Sequence, residues 1–193
     1  MIIDIGAGKG EDTYCFSKAV GSGGRVLSIE AHPKTYLCLE KFCQYNKLKN
    51  VIPLNVAVCE TESVVIIDDY AQSPGADIFS TIVQAKHGLQ VQGQSLDQII
   101  KGLGLIKIDF LKMNIEGAEK MAIRGMGECI RKIKYVCISC HDFLAERNNL
   151  EALRTKNEVT DFLKQNGFRI ISMADDARPW IRDQINGINE NLV

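Results

Sequence analysis

The chain opens on DIGAGKGED (Asp4 to Asp12), and GRVLSIEAHP (Gly24 to Pro33) follows one element later. Glycines at 6, 8 and 10, directly after the apolar run Met1–Ile5, put bare backbone where side chains would otherwise stand. A strand, a glycine loop and a helix in that order form the opening unit of a nucleotide-binding α/β sheet. Glu11–Val20 supplies the helix pattern, and Arg25–Ile29 predicts the second strand. Pro33 then suits the first position of a helix running to about Lys47, with Tyr36, Leu39, Phe42 and Cys43 on its buried side.

The alternation continues along the chain. Val51–Val58 and Val64–Ile67 read as strands around the polar turn Glu60-Thr61-Glu62. A less regular stretch follows to Gly93, with Ser73-Pro74-Gly75 as punctuation. Ser95–Lys101 predicts a short helix, Ile106–Ile115 a strand, and Ala118–Met126 a helix. Lys134–Cys140 is a further core strand, Glu151–Gln165 a helix stopped by Asn166-Gly167, and Phe168–Met173 another strand. Strands separated by helical crossovers imply a largely parallel sheet with helices on both faces. With no repeat or linker, residues 1–193 are expected to form one domain, in which 59–93 is an insertion on the substrate side.

Composition narrows the function classes. At 193 residues the chain can bury roughly two-thirds of its unfolded surface. Its formal net charge of −1 gives no field for nucleic acid or an anionic membrane. No apolar run approaches the ~18 residues of a bilayer span. No basic segment or cleavage site precedes IIDIG, so a cytoplasmic location is expected. The seven cysteines are scattered through apolar periodic segments, as reduced buried thiols would be.

What lies against the glycines follows from charge. The phosphate-binding P-loop needs four residues between its first glycine and a Gly-Lys-Ser/Thr ending, which Gly6-Ala7-Gly8-Lys9-Gly10-Glu11 does not provide. The dinucleotide fingerprint matches at Gly6 and Gly8 but meets Glu11 at its third position. Glu11 and Asp12 also stand at the positive end of the next helix, where a pyrophosphate would sit, and would repel it. S-adenosylmethionine carries a sulfonium and an ammonium instead. Acidic neighbours suit it, the loop's N–H groups are expected to take its carboxylate, and Glu30 ends the second strand where a ribose acid belongs. A tight turn alone would explain the glycines, but not Glu30 at that interval.

DIGAGKGEDTYCFSKAVGSGGRVLSIEAHP, NVAV and above all IDFLKMNIEGAEKMAIRGM resemble the FkbM-like S-adenosylmethionine-dependent methyltransferases, from Ile3 to about His141. The resemblance implies a Rossmann-like class I methyltransferase: a seven-stranded, mostly parallel sheet whose last strand is antiparallel. It also implies methyl transfer to a hydroxyl of a sugar or natural product, hence a small-molecule or glycan acceptor. By position, Asp4, Gly6, Ala7, Gly8, Gly10 and Asp12 fall on the cofactor loop, Glu30 and Ala31 on the ribose side, and Asn55 and Val56 at the adenine edge. The family usually ends its fourth strand with Asp where this chain has Asn114, whose amide can hold the cofactor's ammonium but cannot act as a base. Members also commonly carry a segment ahead of the glycine loop. These departures keep open a non-catalytic cofactor-binding protein, while an RNA methyltransferase is disfavoured by charge.

His141 follows a strand at the carboxyl edge of the sheet, where ligands of such sheets bind, and is the expected general base. Glu116 is the expected assistant, and Glu119 reads as a helix-start charge. A capping or packed histidine is the plainer alternative for His141. Cys137-Ile-Ser-Cys140-His141 spells a haem-attachment pattern, yet it lies within a strand whose alternation turns the two thiols to opposite faces. Neither haem nor a metal is expected. Arg131-Lys132-Ile133-Lys134 reads as a solvated face.

Overall fold

The computed structural model describes residues 1–69, 88–148 and 151–193. Seven strands form the main sheet: β1 (Ile2–Ile5), β2 (Val26–Ile29), β3 (Val51–Leu54), β7 (Ile108–Met113), β8 (Ile133–Ser139), β9 (Phe168–Ser172) and β10 (Gln184–Asn189). Their order is β3-β2-β1-β7-β8-β10-β9. All neighbours pair in parallel except β10, which is antiparallel to both β8 and β9. This is the class I methyltransferase sheet.

The central strands are buried on both faces, and strand alternation sorts their side chains. Ile3, Ile5, Leu27 and Ile29 turn to the main apolar core, with Leu111, Met113, Val136 and Ile138 beside them. Asp4 and Ser28 turn to the opposite face, beneath α1 (Glu11–Val20), and both are fully buried. They stay polar because Thr13 of α1 reaches down to them: its hydroxyl donates to Asp4 Oδ2 at 2.8 Å and lies 2.9 Å from Ser28 Oγ. A second helix, α2 (Pro33–Tyr45), starts at Pro33 as expected and buries Leu39 and Cys43.

Several boundaries differ from the sequence expectation. Val51–Val58 is not one strand: the chain leaves the main sheet at Asn55, and Ala57–Val58 (β4) joins a second sheet of order β4-β6-β5. Strands β5 (Ser63–Ile67) and β6 (Leu89–Gln94) of that sheet flank the expected insertion 59–93, whose residues 70–87 lie outside the described part. Helix α3 (Leu96–Gly102) begins at a reciprocal Ser95–Gln98 cap. Helix α4 is shorter than expected (Glu119–Arg124). Helix α5 (Asp142–Asn148) was not anticipated, β10 is the antiparallel last strand that the resemblance implied without giving its span, and the helix predicted from Glu151 starts at Lys156 (α6, Lys156–Gln165). A last short helix, α7 (Pro179–Arg182), precedes β10.

All seven cysteines are free thiols; Cys15 and Cys38 are exposed, while burial pushes the Cys43, Cys129 and Cys140 thiols up. Thiol titration of the native protein should therefore find two fast-reacting groups, with the others released only on unfolding. Four or more fast thiols would contradict this packing.

Candidate cofactor site

The strand order reverses between β1 and β7, so the loops after these strands part and leave a crevice at the carboxyl edge. A cavity of about 550 Å³ lies there, between the glycine loop, the ends of β2 and β7, and β4. Its size suits a small organic ligand. Gly6, at φ 74°, shows why the first glycine is required: a Cβ there would stand 2.0 Å from the Asn114 carbonyl oxygen. The loops of β1 and β7 touch backbone to backbone at this point, and Asn114 N–H donates to Ile5 O at 3.0 Å. Gly8, at φ 58°, also lines the cavity, and a Cβ there would meet no protein atom within 4 Å.

Glu30 lies at the cavity wall. Its Oε2 accepts from Gly8 N–H and its Oε1 from His32 N–H, each at 2.9 Å. Burial pushes its carboxyl up, and the two backbone hydrogen bonds and Lys112 oppose that. Each oxygen keeps a further lone pair, which fits a pair of ribose hydroxyls. Glu30→Ala should raise the dissociation constant for S-adenosylhomocysteine at least tenfold, since charged hydrogen bonds contribute about 1.5–3 kcal/mol each. An unchanged constant by calorimetry would remove Glu30 from that role.

Asn114 supplies a second mark of a ligand. Its Oδ1 is buried and has no hydrogen-bond partner among the described residues, and the residue lines the cavity. An unsatisfied buried carbonyl costs about 1–3 kcal/mol, which an ammonium donor on a ligand would offset. Val56, Ala57 and Val58 add an apolar wall on the β4 side, suited to a purine face. Ala7, Asp12 and Ala31 also line the cavity, as placed from the sequence.

Four residues stand elsewhere than expected. Asp4 is beneath α1, 3.0 Å from Lys112 Nζ, and does not face the cavity. Gly10 makes room for α2, since a Cβ there would approach Phe42 Cδ1 to 2.9 Å. Asn55 turns back to hold the end of β2, its Nδ2 donating to Glu30 O and Ala31 O at 2.8 and 3.0 Å. His141 is buried behind the cavity, with Nε2 3.1 Å from Glu116 Oε2 and Nδ1 3.0 Å from Glu119 Oε1.

This last placement corrects the role of His141. Burial lowers the imidazole's proton affinity, but hydrogen bonds and charge from Glu116 and Glu119 outweigh it and push the pKa up to about 10. An imidazolium with both nitrogens engaged cannot take a proton from a substrate at neutral pH. Glu119 is fully buried and is further held by Thr155 Oγ1 at 3.0 Å and Gly117 N–H at 3.2 Å. Glu116, with its backbone at φ 53°, is the member of this cluster that reaches the cavity.

The loop's backbone also departs from expectation. The N–H groups of Gly6 and Ala7 donate to Ile29 O, that of Gly8 to Glu30, and that of Gly10 to Ala7 O. They are not available to receive a carboxylate. Among the side chains missed from the sequence, Lys112 and His32 both line the cavity. Burial lowers the pKa of His32, more than the charge of Asp69 raises it, so its ring is neutral near pH 7.

A largely parallel sheet with this switch-point crevice, walled by Glu30 and Asn114, is that of a Rossmann-like methyltransferase domain whose cofactor is S-adenosylmethionine. A model of the methyltransferase FkbM domain matches residues 4–170, and the chain belongs to that family. Among curated proteins it is similar to the AMB antimetabolite synthetase AmbE of Pseudomonas aeruginosa, 32% identical over 83 residues, 42% of this chain. It is also similar to the catalytic subunit of a tRNA (adenine(58)-N(1))-methyltransferase of Yarrowia lipolytica, 34% identical over 58 residues, 30% of this chain. The matches span 4% and 15% of the lengths of those two proteins. A solved methyltransferase FkbM from Methylobacillus flagellatus shares the fold with TM-score 0.59 and 17% identity, over 96% of this chain and 42% of that one.

Proposed function

We propose that this protein transfers the methyl group of S-adenosylmethionine to a hydroxyl of a small-molecule or glycan acceptor. The observation that carries the reading is Glu116, a cavity-lining carboxylate fixed by His141 at the end of β7, two residues beyond the cavity-lining Asn114. The cofactor supplies an electrophilic methyl group on a sulfonium. Glu30 holds ribose hydroxyls, Asn114 Oδ1 accepts from the ammonium, and the β4 wall excludes water from the adenosine side. Glu116 orients the acceptor hydroxyl and takes its proton as the new C–O bond forms. Alignment of acceptor and methyl carbon carries much of the remaining barrier.

The tRNA-modifying relative favours a second reading, methylation of RNA, which the net charge of −1 does not support. A screen with radiolabelled S-adenosylmethionine against sugar and alcohol acceptors, amines and RNA separates the outcomes. Label in an alkali-stable ether of a hydroxylated acceptor supports the proposal. Label in RNA alone, or cofactor binding without transfer to any class, overturns it, the latter in favour of a non-catalytic binding protein.

A further inference from the structure

Lys112 lies in the middle of an apolar strand, yet its ammonium opens on the cavity. The side chain is 13% exposed. Its register partner on β1 is Asp4, so both project to the α1 face of the sheet. There Nζ donates to Gly6 O at 2.8 Å, lies 3.0 Å from Asp4 Oδ1, and reaches Asp12 Oδ2 at 3.5 Å. Two of these partners are fixed: the Gly6 carbonyl belongs to the loop, and Asp4 is fully buried and held by Thr13. Asp12 is different. Its side chain is 60% exposed, and the contact is long. An exposed ion pair of that kind is worth about 0–1 kcal/mol and is readily exchanged.

An anion beside the loop would find few other donors. The N–H groups of Gly6, Ala7, Gly8 and Gly10 are engaged, and Glu11 and Asp12 burden the start of α1 with negative charge. Of the two lysines that line the cavity, Lys9 is exposed on the loop, whereas Lys112 is held in place by Asp4 and the Gly6 carbonyl and keeps one exchangeable partner, Asp12. Glu30, the other acid beside it, already accepts from Gly8 and His32.

We propose that Lys112 receives the carboxylate of the cofactor's amino-acid moiety, and that Asp12 occupies that position only until the cofactor displaces it. Asp12 is then a competitor for the ammonium and not the cofactor-binding residue that its place in the loop suggests. Lys112, anchored from below by Asp4, selects for ligands that carry the carboxylate. This rests on the proposed cofactor binding and adds the group that recognises one end of it.

The test compares S-adenosylhomocysteine with its decarboxylated analogue, which keeps the ammonium but lacks the carboxylate, by calorimetry. Wild-type protein should prefer the carboxylate-bearing ligand by about tenfold or more, the range of a charged hydrogen bond. Lys112→Met should reduce that preference to within about threefold, and Lys112→Arg should restore part of it. Where Lys112→Met does not fold because Asp4 is left without its cation, the Asp4→Asn/Lys112→Met pair removes both charges and is read by the same ratio. Asp12→Asn should keep the preference and bind S-adenosylhomocysteine several-fold more tightly. A preference that survives in the methionine variants, or a tenfold loss of affinity in Asp12→Asn, overturns the proposal. If the wild type binds S-adenosylhomocysteine without preference, Lys112 fails alone; if it binds neither ligand, the cofactor reading itself fails.

Discussion

Near pH 6, His141→Ala should cost about 3–5 kcal/mol of folding stability, the usual consequence of removing one member of a buried ion pair. The loss arises at Glu119, which is fully buried and would keep only the Thr155 hydroxyl and the Gly117 N–H. The effect depends on pH with a defined sign. The folded pKa of His141 is raised from its ordinary 6.5 to about 10, so the folded state holds the proton more tightly than the unfolded chain. Its stabilising contribution is full below pH 6.5 and is lost as pH rises towards 10. Urea denaturation of the wild type and His141→Gln should show a gap that narrows from about pH 6 to pH 9.5. A gap independent of pH would mean that the imidazole is neutral in the folded protein.

The strands flanking the cofactor were legible because each obeys a simple pattern. Ile2–Ile5 and Val26–Ile29 are short apolar runs, each followed by its loop signal, and the glycines at 6 and 8 report a backbone approach that side chains would block. Strand β10 was not legible because Gln-Ile-Asn-Gly-Ile-Asn alternates without a hydrophobic face. Gly187 is small because a Cβ would come within 2.8 Å of Val136, and Asn189 is buried because its amide donates to Ile133 O at 3.0 Å. Both reasons lie on a neighbouring strand far along the chain, beyond the reach of local periodicity.

The site divides in the same way. Glu30 and Asn114 are found from the sequence because strand ends place them, whatever their neighbours do. His141 shows the limit of that argument: position brought it to the carboxyl edge, but its protonation is set by two carboxylates from another loop. Lys112 is a charge within the apolar run Ile106–Ile115. Its meaning appeared only when the register put it opposite Asp4 and the N–H groups of Gly6, Ala7, Gly8 and Gly10 proved to be engaged. Motif spacing reports where backbone goes; charge state depends on what tertiary structure assembles around it.

Glu116→Gln should lower turnover by about 10²–10⁴-fold with the acceptor found in the labelled-methyl screen, the range for loss of a general base. Glu116 holds a left-handed backbone conformation at φ 53°, which for a residue with a Cβ costs on the order of 1–3 kcal/mol. The adjoining Gly117 takes φ 95° without that penalty, so the turn itself does not explain why position 116 carries a side chain. What the side chain provides is a carboxylate at the cavity with its outer partner, His141, held protonated by Glu116 and Glu119 together. That imidazolium fixes the carboxylate's orientation at one oxygen, while the acceptor proton is its chemical target. Glutamine preserves the length and hydrogen-bonding capacity of the side chain but cannot accept that proton. Affinity for S-adenosylhomocysteine should therefore stay within a few-fold, because Glu30 and Asn114 are untouched. Full turnover by the Gln variant would leave alignment as the source of the rate and remove Glu116 as the base, whereas a parallel loss of cofactor affinity would place its carboxylate on the cofactor and not on the acceptor.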